Sequence, residues 1–399
     1  MKILYDLSAT QPVGGIKFHG GSEYSKILFR NLINKRDNRV NIDVYYDKTR
    51  NIDKALIGIC KENNINIHDI EVNNELNELI NKGEYDVVYS ALPGNEYSKV
   101  NFPLNTKLVI TQHGLRGLEL ISDKYQWFYL NGLKNKIKYI GKKFFPQRTI
   151  KKRKKYISKI FSITKNIEII TDSQHSKNSI LYHFPNLKEN QIIVAAAMAK
   201  KDDNIEKQEE EMILNKLNIK SKKYILLVSA DRWEKNNYRM IKAIVKVLKT
   251  RKQLFEKYKI LVLGNEGGNI YKDLIEDEYK DFFIFKGYVE EHQLNVLYKN
   301  AFTLFYPSLN EGFGYPPLEA MKYETFSVCA ADSSITEVCG DAVIYFNPYD
   351  IDEMAIRVIQ SFDTVNRNVI KSKMVKQYEY IHNLQELGST CVINKIYGE

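Results

Sequence analysis

Short β-rich runs alternate with stretches of helical period along the 399 residues of this chain, and no other feature constrains its fold as tightly. In the first half the runs are Lys2 to Leu7, Val40 to Tyr46, Asp86 to Tyr89, Leu108 to Gln112 and Glu168 to Thr171. Between them lie segments such as the one in which Ile27, Leu28, Leu32 and Ile33 recur on one helical face. In the second half the runs are Tyr224 to Ser229, Lys259 to Gly264, Phe282 to Phe285 and Thr303 to Tyr306. The stretch from Phe302 to Phe346 then reads strand, loop, helix, strand, loop, helix, strand. Such alternation predicts an α/β fold, with mostly parallel sheets covered by helices on both faces. The length suffices for two domains, each with its own core.

The formal net charge of +10 is concentrated in one place. Lys134, Lys136, Lys138, Lys142, Lys143, Arg148, Lys151, Lys152, Arg153, Lys154, Lys155 and Lys159 occur with no acidic residue among them, which leaves the remainder of the chain close to neutral. Tyr139, Ile140, Phe144 and Phe145 interleave with these cations, so residues 134–159 read either as a solvated charged helix or as a segment that lies on an anionic membrane surface. No nucleic-acid-binding module is recognisable, and nucleic acid is not expected as a partner. No apolar run approaches the roughly 20 residues of a membrane-spanning helix. Met1-Lys2 is followed by only Ile3-Leu4-Tyr5 before Asp6, too short for a signal peptide, so a cytoplasmic protein is expected, peripheral at the inner face of the cell membrane. Cys60, Cys329, Cys339 and Cys391 are scattered without C-x-x-C spacing and read as free thiols.

Candidate functional residues fall where strands give way to helices, the edge at which open α/β sheets bind ligands. After the first strand comes Val13-Gly14-Gly15-Ile16-Lys17-Phe18-His19-Gly20-Gly21, with Ser22-Glu23 opening a helix. Either this is a plain loop with a capped helix, or Gly20 and Gly21 let the backbone pass close beside a phosphate. His113 closes a strand. Arg232 and Lys235 stand in a strand-to-helix loop, where a guanidinium could grip phosphate oxygens bidentately while an ammonium adds a mobile charge. Asn236 or Asn237 is the expected cap of the next helix. Glu311 and Glu319 flank a loop-to-helix junction opened by Pro316-Pro317, with the Glu319 carboxylate near the helix start. Gly312 and Gly314 leave the loop amides open to a ligand, beside Phe313 and Tyr315. No acidic cluster suited to a metal is evident, and no cofactor is expected.

Ser308, Glu311-Gly312-Phe313-Gly314, Leu318-Glu319-Ala320-Met321, Ser333-Ser334, Glu337-Val338 and Gly340-Asp341-Ala342, in that order, closely resemble the donor half of the retaining glycosyltransferases of family four. The resemblance is strong from Tyr224 to Pro348 and weaker before; it departs at Glu324 and Phe326, where a glycine and a proline are usual, and at Ala195 to Met198, where an Asn-Gly pair is usual. It implies the GT-B fold, two Rossmann-like domains facing a cleft: an acceptor-side domain over 1–198, a connection over 199–223, a nucleotide-sugar domain over 224–374 and a terminal helix over 375–399 that crosses back. It also implies transfer of a sugar, with retention and without metal, from a nucleotide diphosphate to a hydroxyl of a glycan or lipid-linked acceptor in surface polysaccharide assembly. On this reading Glu311, His113, Arg232 and Lys235 act at the reacting centre. Gly20, Gly21, Gly287, Tyr288, Gly312, Phe313, Gly314, Tyr315 and Glu319 join Arg232, Lys235 and Glu311 in holding the donor. Arg232 and Lys235 would face the diphosphate, Glu319 the ribose, Glu311 and His113 the sugar, and Gly287-Tyr288 the base. A nucleotide-sugar 2-epimerase of the same fold and a basic membrane- or nucleic-acid-binding protein are the alternatives.

Overall fold

The computed structural model describes residues 1–12, 20–36, 39–200 and 205–398. Residues 13–19 of the glycine-bearing loop and the charged residues 201–203 therefore lie outside the described residues. The chain divides into two units, one made of Met1–Leu118, Gln147–Lys200 and His382–Glu399, the other of Glu119–Pro146 and Lys201–Ile381.

The first unit is built on β1 (Lys2–Asp6), β2 (Asn41–Asp47), β3 (Asn66–Ile70), β4 (Val87–Ser90), β5 (Lys107–Thr111), β6 (Ile167–Thr171) and β7 (Ile192–Val194). Their order in the sheet is β3-β2-β1-β4-β5-β6-β7, and every pairing is parallel. The second unit contains β8 (Tyr224–Leu227), β9 (Lys259–Leu263), β10 (Phe283–Lys286), β11 (Thr303–Tyr306), β12 (Ser327–Ala330) and β13 (Ile344–Phe346), ordered β10-β9-β8-β11-β12-β13 and again parallel throughout. Each sheet is doubly wound. The winding reverses between β1 and β4 in one and between β8 and β11 in the other, which fixes the crevices at the carboxyl ends of those strands as the places for a ligand.

The central strands are buried along their whole length, as in Tyr-Ile-Leu-Leu of β8 and Thr-Leu-Phe-Tyr of β11. Helices cover both faces of a parallel sheet, so its strands read as continuous apolar runs, and that is why the central strands are visible in the sequence to within a residue or two. The edge strands β3, Asn-Ile-His-Asp-Ile, and β7, of three residues, carry no such run and are not among the expected elements. In the same core as β8 lies the helix Asn237–Arg251, with Ile241, Ile244, Val245 and Leu248 buried at the predicted spacing.

Chain order alone would keep residues 119–146 with the rest of 1–198, yet they belong to the second unit. The basic segment is consequently split: the helix Leu133–Phe144 lies in the second unit, and the helix Pro146–Phe161 passes into the first from Gln147 onward. The terminal helix begins at Thr364 rather than near Val375, runs to Ile396, and belongs to the first unit from His382. There Gln385 donates to the Ala197 carbonyl at 2.7 Å, and Gly388 presses on the Ala195–Ala196 backbone, where a Cβ would meet the Ala196 carbonyl oxygen at 2.7 Å. At the departure from the family pattern, Glu324 holds the left-handed turn itself, with φ of 51°, and pairs with Lys371 at 2.9 Å. Cys60, Cys329, Cys339 and Cys391 are free thiols.

Candidate active site

In the second unit, the loops that leave β8 and β11 meet at the reversal of winding. From β8 the chain passes Arg232, makes a tight turn over Trp233–Lys235, reverses at Asn236 with φ of 59°, and enters the helix at Asn237. Asn236 occupies the cap position without a capping hydrogen bond. Its amide instead donates to the Pro348 carbonyl at 2.8 Å and its oxygen accepts from Arg239 at 2.8 Å. The turn directs Lys235 inward, where it is buried.

Lys235 Nζ donates to Glu311 Oε1 at 2.5 Å and to the Tyr306 hydroxyl at 2.8 Å. Glu311 Oε1 also accepts from Tyr306 at 2.6 Å and from Ser308 Oγ. Burial, and then the Glu311 carboxylate, hold the Tyr306 pKa well above the usual phenol range, so it serves this cluster as a neutral donor. The structure thus joins two residues to which the sequence reading gives separate tasks. An ion pair this well buried is stable only with its extra hydrogen bonds, and here Tyr306 and Ser308 provide them. Arg232, more exposed, places Nε and Nη2 on Glu234 Oε1 at 3.0 and 2.7 Å. Each of the two expected phosphate-binding cations therefore has a carboxylate beside it.

The Glu311-Gly312-Phe313-Gly314 loop is fastened from below by two serines. Ser333 Oγ accepts from the Glu311 amide at 2.8 Å, while Ser334 Oγ donates to the carbonyls of Glu311 and Phe313 at 3.0 and 2.8 Å. Phe313 is buried and meets Tyr315 edge-on. Gly314, with φ of 109°, precedes the helix Tyr315–Lys322, and Pro316 and Pro317 lie in its first turn. Glu319 stands in the second turn of that helix, not at its start. Its carboxylate faces Tyr298, whose pKa is pushed well up by burial and then by Glu319. After β10, the Gly287 amide donates to Glu266 Oε2 at 2.5 Å, and a Cβ at Gly287 would meet that oxygen at 2.9 Å; Tyr288 beside it is exposed.

In the first unit, His113 lies two residues beyond β5, and its Nδ1 is 2.6 Å from Asp172 Oδ2 at the end of β6. Burial alone would lower the histidine pKa; Asp172, aided by the Ala91 backbone, outweighs it and raises the pKa above the ordinary value. Tyr24, from the helix Gly20–Asn34, meets the imidazole edge-on at 4.7 Å. Gly21 opens that helix against Leu92, where a Cβ would come within 2.7 Å of a leucine methyl; Gly20 has open space. Ser173 caps the helix after β6 by accepting from the Ser176 amide. Buried Asp6, at the end of β1, binds Ser8 and Ser90, and burial above all raises its pKa. Neither Tyr306, Tyr298 nor Asp6 carries a sequence signal, since each is defined by a partner far along the chain or by a strand end; Glu234 differs, because its partner Arg232 is only two residues away. Among the described residues no group of three or more His, Cys, Asp or Glu is arranged to hold a metal ion.

Residues 209–373 match the family model of glycosyl transferases group 1. The chain is 28% identical over 224 residues to O-antigen chain mannosyltransferase B of Escherichia coli, a match that covers 55% of this chain and 57% of that protein. It is 25% identical over 302 residues to O-antigen chain mannosyltransferase RfbU of Salmonella typhimurium, covering 73% of this chain and 75% of the relative. Among solved structures, the chain is similar to a Rickettsia africae glycosyltransferase, with a TM-score of 0.65 at 14% identity over 99% of this chain and 98% of the other. It is also similar to WaaG, a glycosyltransferase involved in lipopolysaccharide biosynthesis, with a TM-score of 0.64 at 12% identity over 100% of both chains. At such identities the likeness concerns the fold, which is GT-B.

Proposed function

We propose that this protein is a group 1 glycosyltransferase that moves a sugar from a nucleotide diphosphate donor to a hydroxyl of a glycan or lipid-linked acceptor, with retention and without a metal, in surface polysaccharide assembly at the inner face of the membrane. The O-antigen mannosyltransferases among its relatives favour mannose as that sugar. The observation that carries the reading is the buried Lys235–Glu311 pair at the carboxyl ends of β8 and β11, with Arg232 in the same loop. As the bond to the diphosphate breaks, negative charge grows on the leaving phosphate. Fixed cations and loop amides that need no rearrangement stabilise that charge. Lys235, held by Glu311 and Tyr306, is such a cation, and Arg232 can leave Glu234 for phosphate oxygens of matching fork geometry. The leaving phosphate itself takes the acceptor's proton.

A thermal-shift screen of nucleotide diphosphate sugars, mannose donors of each base included, tests the donor assignment, because a ligand of the folded state raises its apparent stability. A shift with one donor is expected; no shift with any of them overturns the assignment. With that donor, NMR of the product should show the donor's anomeric configuration, and turnover should persist in excess EDTA. Inversion, a 2-epimer in place of transfer, or activity restored by added magnesium would each refute the corresponding part.

A further inference from the structure

The loop that carries Arg232 and Lys235 is gripped at both ends from one stretch of the second unit, residues 123–129, far earlier in the sequence. Asp123 caps the turn Lys124–Tyr129 by accepting from the Tyr125 amide at 2.9 Å. The same carboxylate takes Arg239 Nη1 and Nη2 at 3.0 and 2.6 Å. Only 3% of the Arg239 side chain and 8% of the Asp123 side chain are exposed, so this fork is shielded from water. Arg239 Nη1 reaches on to Asn236 Oδ1 at 2.8 Å, and Asn236 is the left-handed residue at which the loop ends and the helix Asn237–Arg251 begins.

At the other end of the loop, the fully buried Tyr271 donates its hydroxyl proton to the Ala230 carbonyl. With that proton committed, the Tyr129 hydroxyl, 3.1 Å away, is the donor to Tyr271. Between the two grips, Tyr125 and Phe128 stack on Tyr238 with centroids at 4.7 and 4.6 Å, and the Arg239 guanidinium lies over the Tyr125 ring at 4.6 Å. A buried ion pair adds little net stability, because desolvation offsets its attraction. What this one adds is geometry: with the two tyrosines it fixes where Ala230 and Asn236 stand, and hence how Arg232 and Lys235 leave the loop. None of Asp123, Tyr129, Arg239 and Tyr271 is among the donor-site candidates.

We propose that Asp123, Tyr129, Arg239 and Tyr271 are positioning residues of the transfer reaction, acting through Arg232 and Lys235. The inference rests on the function proposed above. Cations meet the charge of a leaving phosphate without rearrangement only if their loop is already fixed. A displacement of about 1 Å can cost on the order of a hundredfold in rate.

Steady-state kinetics of variants that keep their rings test it. Tyr271→Phe should lower kcat at least about tenfold and Tyr129→Phe at least about threefold, with affinity for the nucleotide diphosphate changed less than about threefold, because the charge grows only as the bond breaks. Tyr224→Phe is the control: it removes an equally buried hydroxyl, bonded to the Leu297 carbonyl at 2.6 Å, from the opposite end of β8. Its kcat should stay within about twofold of the parent's, as for a group that acts only on stability. Unchanged kcat in Tyr271→Phe, or an equal loss in Tyr224→Phe, overturns the proposal. In a Lys235→Ala background the loss from Tyr271→Phe should shrink to less than about threefold, as for groups that act as one unit. An undiminished loss there means a route around the cations and overturns it too. Asp123→Asn, which keeps the shape and weakens the hold on Arg239, should lower kcat at least about threefold; parent-like turnover removes Asp123 and Arg239 from the assignment. A thermal shift of the parent with nucleotide sugar separates the two readings. No shift overturns the proposed function and this inference with it, whereas a normal shift with parent-like kcat in Tyr271→Phe overturns the positioning alone.

Discussion

At the scale of single residues, Lys235 and Glu311 share one hydrogen-bonded cluster with Tyr306 and Ser308. Their substitutions should therefore resemble each other. Lys235→Ala or Glu311→Ala should each cost roughly 2–4 kcal/mol in transition-state stabilisation. The double variant should fall short of the sum by more than about 1 kcal/mol, as coupled neighbours do. Additive losses in kcat/KM would show that the two act separately. Glu319, beside Tyr298 in the next helix, should instead weaken nucleotide diphosphate binding when replaced by alanine, about tenfold to a hundredfold for a lost charged hydrogen bond of roughly 1.5–3 kcal/mol. Calorimetry with the nucleotide alone measures it, and unchanged affinity would refute the ribose role. The pair His113–Asp172 gives a pH signature. Because the folded pKa of His113 is raised, its contribution to stability is fully present below the unfolded value, about 6.5, and is lost as pH rises through the folded value. Asp172→Asn should hence destabilise most in acid and least in base, read from denaturant midpoints; a penalty that grows with pH would contradict this.

At the scale of elements, the loops that leave the strands carry the chemistry and are shaped by backbone conformation as much as by side chains. Gly264 follows β9 with φ of 99°, and a Cβ there would stand 2.8 Å from the Ala230 amide nitrogen at the root of the Arg232 loop. Gly264→Ala combines a left-handed strain of about 1–2 kcal/mol with a contact that only backbone movement can relieve. It should lower stability by at least about 2 kcal/mol and weaken nucleotide-sugar binding together, since the displaced segment leads to Arg232. A melting temperature equal to the parent's would show that β9 and the loop are not tightly coupled. The loop after β11 depends instead on Ser333 and Ser334, which the sequence shows only as a serine pair.

At the scale of the whole molecule, the last helix serves two units, and from Val392 to Ile396 it buries Val392, Ile393 and Ile396 in the first. Three such side chains contribute on the order of 1.5–3 kcal/mol each, comparable to the total stability of a domain, about 5–15 kcal/mol. Deleting residues 382–399 should thus lower the melting transition of the first unit while the transition raised by nucleotide sugar persists; loss of both together would show that the units unfold as one. The sequence by itself determined the α/β class, the central strands, the buried helix faces and the loops that hold Arg232, Lys235 and Glu311, because a strand covered on both sides must be apolar throughout and its carboxyl end must open into a loop. It could not show that 119–146 joins the second unit, that Tyr139 turns inward while Leu133 and Ile137 face solvent, or that Lys235 rests on Glu311. Those were decided by tertiary structure alone, because a residue's charge state, partner and exposure depend on neighbours dozens of positions away, which local periodicity does not encode.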